Sequence, residues 1–137
     1  MRTESEIRAL VAAFENHTLQ YEEWTHAAHL SVAAAYAIDH DDCIDRIRQG
    51  IPSLNAHFGV PQTPEGGYHD TLTIAWMHLI RHHVRSMPDA SFAEKIDSAV
   101  EKFLDKKAIL DHYSRERIMS IEARYGWVEP DLSPLPE

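Results

Sequence analysis

The sequence predicts an all-α fold, a single-domain bundle of four to five main helices with an extended C-terminal tail. Three observations carry this reading. Apolar residues recur at three- and four-residue intervals in five separate stretches. Helix-start and helix-stop residues flank those stretches. No segment alternates apolar and polar residues over the length of a strand.

The first helix reads from about Glu4 to His17. Thr3 and Glu6 form a capping box, and Ile7, Leu10, Val11 and Phe14 repeat at helical spacing. The second runs from about Trp24 to Asp39 and is apolar nearly all round, which predicts the most buried helix. The third runs from about Asp42 to Phe58 and stops at Gly59. Pro52 lies inside it and predicts a kink or break near Gly50, because proline lacks the N–H and collides with the preceding turn. Pro61, Pro64, Gly66 and Gly67 mark a loop. The fourth helix starts near Tyr68–Thr71 and reaches about Ser86. The fifth spans about Ser91–Asp105, and a shorter one Ser114–Tyr125. Three prolines in Trp127–Glu137 predict an extended tail lying across the bundle. Phe14, Trp24, Leu30, Ile47, Leu72, Trp76, Phe103 and Ile118 are the expected core.

A length of 137 residues suits one domain. The 22 acidic residues against 13 basic give a net charge of −9. That sign disfavours nucleic acid, whose binding rests on Lys and Arg neutralising phosphates, and it disfavours anionic membranes. One cysteine, Cys43, excludes an internal disulfide and a CxxC metal site. With no apolar signal segment at the N-terminus, the expectation is a cytoplasmic protein.

The unusual feature is 10 histidines, most of them scattered singly through helical segments. Glu23, His26 and His29 follow at three-residue intervals, which places them on one side of a helix. A second Glu-x-x-His pair is missing, so a carboxylate-bridged di-iron site is not expected. His69 falls in the first turn of the fourth helix, where the positive helix end disfavours imidazolium and leaves a neutral ring able to ligate or accept a proton. His69, Thr73, Trp76, Ile80 and His83 share one face of that helix. His26, His29, Ala33, Tyr36 and His40 form a stripe on the second. If the two stripes pack together, His26, His29 and His69 meet at one end, and His40 and His83 at the other. A third group, His112-Tyr113-Ser114-Arg115-Glu116-Arg117, offers Arg115 or Arg117 to a substrate carboxylate.

Four segments, Trp24-Thr25-His26-Ala27-Ala28-His29-Leu30, Gly67-Tyr68-His69-Asp70-Thr71-Leu72-Thr73, His112-Tyr113-Ser114-Arg115-Glu116-Arg117 and Ala123 to Leu132, resemble those of an uncharacterised family of small bacterial proteins. That family often carries Glu where this chain has Asp70, and Pro52 is atypical of it. The resemblance supports the choice of residues and supplies no reaction.

The expected function is a metal-dependent enzyme acting on a small-molecule substrate, a hydrolase or an oxygenase according to the metal. His26, His29 and His69 bind one divalent transition metal (Zn, Fe, Ni or Cu) with open positions for water or substrate. Asp70 is the base or an outer partner, and Tyr36, Tyr68, Thr73 and Trp76 line the pocket. Two alternatives stand beside it. One is a metal-free acid–base enzyme or small-ligand binder using the same His and Asp residues. The other is a structural or interaction protein, a helical homodimer with core histidines.

Overall fold

The computed structural model describes residues 1–136. Among them the regular structure is helical, apart from an isolated bridge between Thr63 and Gly66 in the loop before α4. Five helices are twelve residues or longer: α1 (Glu4–Asn16), α2 (His26–Asp39), α3 (Cys43–Phe58), α4 (Asp70–Arg85) and α5 (Phe92–Phe103). Two short ones follow, α6 (Arg115–Ile118) and α7 (Ile121–Tyr125), with 3-10 turns at Tyr21–Glu23 and Lys106–Asp111. No helix of the described residues is long and apolar enough to cross a membrane.

α2 is the central element and packs against α1, α3, α4 and α5. Its sequence explains why. Every residue from Leu30 to Tyr36 is buried, and the alanines let neighbouring backbones come close on several sides. The helix starts two residues later than its apolar pattern suggests. Thr25 is the N-cap, accepting from the Ala28 N–H, and the preceding residues form the 3-10 turn. Glu23 is thereby removed from the helix face, and its carboxylate accepts from the Gln20 N–H.

α3 runs through Pro52 without the expected break. Ile47 and Leu54, on either side of it, are fully buried and hold both halves to the core. Gly50 has a packing role: a Cβ there would lie 2.7 Å from the Phe14 ring. The segment Ser114–Tyr125 forms two helices rather than one. Ser120 ends the first by donating to the Arg117 carbonyl and starts the second by accepting from the Ala123 N–H.

Phe14, Leu30, Ile47, Phe103 and Ile118 belong to the core as expected. Trp24, Leu72 and Trp76 are only partly buried and pack against it. All three line one cavity.

Candidate functional site

A cavity of about 600 Å³ lies between α2, α3 and α4, a volume ordinary for small-molecule sites. The 3-10 turn and the start of α2 supply Trp24, His26, His29 and Leu30. Ile47, Ile51 and Asn55 come from α3, and Tyr68, His69, Leu72, Thr73 and Trp76 from α4 and its approach. Exposed Glu22 and Lys106 add charge to the lining. The apolar wall follows from helix periodicity: residues three and four apart share the face that would otherwise be core.

His29 is the polar group least committed to the protein. Its ring lies 3.9 Å, centroid to centroid, from that of Trp24. Burial, and then the nearby charges of His26 and Lys106, push its pKa from 6.5 to about 4. The ring is therefore neutral at pH 7, with one nitrogen to donate and one to accept. No hydrogen bond to the protein contributes to that shift. Beside it, the indole N–H of Trp24 is buried without a partner among the described residues.

His26 and His69 are more constrained. His26 Nε2 donates to the Phe103 carbonyl at 3.0 Å, and its ring packs 5.6 Å from that of Trp76. Burial lowers its pKa, as it does for His69. His69 is the N-cap of α4: its Nδ1 accepts the Leu72 N–H at 3.0 Å, while Nε2 donates to the Ile118 carbonyl at 2.7 Å. Both ring nitrogens are thus engaged. His26 packs against Trp76, seven residues along α4 from His69, and both imidazoles line the same cavity. Among the described residues no group of three His, Cys, Asp or Glu side chains is placed to hold a metal ion. His40 packs on Tyr36, and His83 is hydrogen-bonded with Ser98 on α5.

Asp70 is buried but does not line this cavity. Its carboxylate accepts two bonds from Arg48, each 3.0 Å, and a third from the Tyr68 hydroxyl at 2.8 Å. Its oxygens are occupied by a guanidinium and a phenol rather than turned to a substrate in the histidine cavity. Burial and the Asp70 carboxylate raise the Tyr68 pKa, which keeps the phenol protonated. Tyr36 also lies away from the cavity: it is buried in the core and donates to Glu15. Thr73 does line the cavity, with its hydroxyl proton given to the His69 carbonyl at 2.8 Å, so toward a ligand it offers lone pairs.

The segment from Tyr68 to Thr73 therefore has a largely architectural chemistry. Thr71, fully buried, donates to the Gly126 carbonyl at 2.7 Å and accepts the Val128 N–H at 3.0 Å. The third sequence group completes the same clasp. Tyr113 donates to the Val128 carbonyl, Ser114 donates twice to Asp131, and His112 accepts the Leu132 N–H on its carbonyl. Arg117 donates to the Glu129 carbonyl, so it holds backbone rather than a ligand carboxylate. Residues 127–136 carry no helix or strand and are tied down by these bonds.

Sequence reasoning missed Arg48, Asn55, Arg124 and Lys106. Arg48 and Asn55 stand on α3 among other polar residues with no motif around them. Arg124 lies within a recognised segment, but what it bonds to, the loop carbonyls of Pro64 and Gly67, is 60 and 57 residues away. Comparison with models of protein families, with curated proteins and with solved structures finds no match to this chain.

Proposed function

We propose that the chain binds a small, mostly apolar molecule in the cavity between α2, α3 and α4. His29, held neutral, meets the ligand's polar group through a hydrogen bond. One observation carries this: a neutral imidazole lines an apolar cavity, packed at a tilt against Trp24, with no hydrogen bond of its own to the protein. Beside it the Trp24 indole N–H is buried without a partner among the described residues, and a polar group taken out of water without one is costly, which a partner supplied from outside would relieve. The indoles of Trp24 and Trp76 give a flat apolar ligand extensive contact. Thr73 and Tyr68 spend their hydroxyl protons on the protein and present lone pairs, which favours a ligand group able to donate, such as a hydroxyl or an amide.

A metal held jointly by His26, His29 and His69 does not fit this arrangement, because His69 has no nitrogen left to give. Binding one would require the α4 cap and the bond to Ile118 to break together.

The test is a thermal-shift and tryptophan-fluorescence screen of small phenols, alcohols and amides on untagged protein, with elemental analysis of the same sample. Binders that saturate at one per chain are expected. A binder present at a hundredfold its Kd should add about 2.7 kcal/mol of stability. Ala33, which lines the cavity, provides the control: Ala33→Leu fills the space and should abolish binding while the protein stays helical. Equal binding by Ala33→Leu, or no binder at all, overturns the proposal. So does a stoichiometric metal that His29→Ala removes, which would restore the metal reading.

A further inference from the structure

A second depression lies across Tyr68 from the cavity. It has a volume of about 660 Å³, and its polar lining includes Asp45, Arg48, Asn55, Gln62, Asp70 and Arg124. We propose that this cleft is a separate binding site for a small oxyanion group, a carboxylate or a phosphate, held between Arg48 and Arg124.

Both guanidiniums are fixed in place by the protein. Arg48 puts Nε and Nη2 on the two oxygens of Asp70. Arg124 puts Nε on the Pro64 carbonyl at 3.1 Å and Nη1 on the Gly67 carbonyl at 2.9 Å. Those bonds leave Nη1 of Arg48 and Nη2 of Arg124 without an acceptor among the described residues. Arg124 is the more telling of the two. It meets carbonyl dipoles only, and no carboxylate among the described residues pairs with it. Its charge stands uncompensated in a chain whose net charge is −9. An immobilised guanidinium loses little freedom on binding, and its planar fork matches the oxygens of carboxylate and phosphate. Gly67 fixes the loop that positions Arg124: its φ is +87°, and a Cβ there would lie 2.7 Å from the Pro61 carbonyl oxygen. Asp45 lines the same cleft and carries the opposing charge, so it lowers affinity for an anion.

The Asp45 charge provides a test that leaves the arginines untouched. Arginine Nε–H signals are followed by nitrogen-15 NMR during titration with inorganic phosphate, and separately with acetate, at ionic strength held constant with chloride. Saturable shifts at Arg48 and Arg124 are expected with at least one probe, and which probe saturates identifies the group the cleft prefers. Asp45→Asn should tighten binding about two- to fivefold, the usual scale of an exposed charge interaction. Arg124→Gln should abolish it. Because Arg124 also holds the loop, Asp45→Asn carries the decision if Arg124→Gln perturbs the fold. Shifts that rise linearly, that spread equally to Arg8 and Arg115, or that ignore Asp45→Asn overturn the proposal. The same titration on Ala33→Leu should be unchanged, which separates this site from the cavity.

Discussion

His69 separates a ligand from a building element, and two substitutions tell them apart. In the structure it does two jobs: Nδ1 caps α4 through the Leu72 N–H, and Nε2 ties the start of α4 to the Ile118 carbonyl. His69→Ala removes both. A lost N-cap costs about 1 kcal/mol and a lost hydrogen bond about another, so the destabilisation should be about 2 kcal/mol. His69→Asn keeps an oxygen at the cap, where asparagine is a favoured residue, but is too short to reach Ile118. It should cost about 1 kcal/mol. Ring packing is lost in both variants and cancels in the comparison, so the difference of about 1 kcal/mol reports the cap alone. Equilibrium urea unfolding reads it directly. With an m-value of about 1.5 kcal/mol/M, the two midpoints should lie about 0.7 M apart. Equal midpoints would refute the capping role. Equal midpoints joined to loss of a bound metal in both variants would return His69 to the ligand set.

Acid should destabilise the protein through His29. Its native pKa of about 4 lies below the unfolded value of 6.5, so its contribution is fully present above pH 6.5 and is lost as the pH falls toward 4, by up to about 3 kcal/mol. Urea unfolding of His29→Leu across that range should show a shallower loss than wild type; identical slopes would mean the ring is not held neutral. Burial also lowers the pKa values of His26, His69, His78 and His83, so the variant keeps a residual dependence of the same sign. Thr71→Val preserves shape but strands the Gly126 carbonyl and the Val128 N–H, and should cost about 2–4 kcal/mol. Trypsin should then cut more readily after Arg124, and a loss below about 0.5 kcal/mol would show that water satisfies both groups.

The helices were legible because burial imposes a period on the sequence, and α1 shows this at its cleanest, from the Thr3 cap onward. What escaped was set by atoms remote in the chain. Pro52 does not break α3 because the residues on either side are locked into the core, a tertiary constraint that local propensity does not encode. Ser120 reads as an ordinary polar residue of an amphipathic helix until its two backbone bonds are seen. The candidate site shows the same division. Residue type and spacing pointed to His26, His29, Tyr68, His69, Thr73 and Trp76, which all line one cavity, and to Tyr36 and Asp70, which do not. Periodicity did not separate Trp24, Leu72 and Trp76, which line that cavity, from true core residues, because both occupy the apolar face. The bonding state of each histidine depended on the Phe103 and Ile118 carbonyls, and that of Asp70 on Arg48, none of which is near in sequence.

The clasp at Thr71 also sets an order of events for folding. Its two bonds reach residues 55 and 57 positions further along the chain. During synthesis, α1 to α4 emerge and can collapse around α2 while Thr71 still has nothing but water to bond. Arg48 can already tie Asp70 to α3, but the bonds of Thr71 form only when α7 and the residues beyond it have left the ribosome and folded back. Contacts so distant in sequence carry a high loop-closure cost and form late. The ribosome-bound intermediate is thus a helical cluster in which the Thr71 bonds are still unmade, and docking of the C-terminal segment follows it.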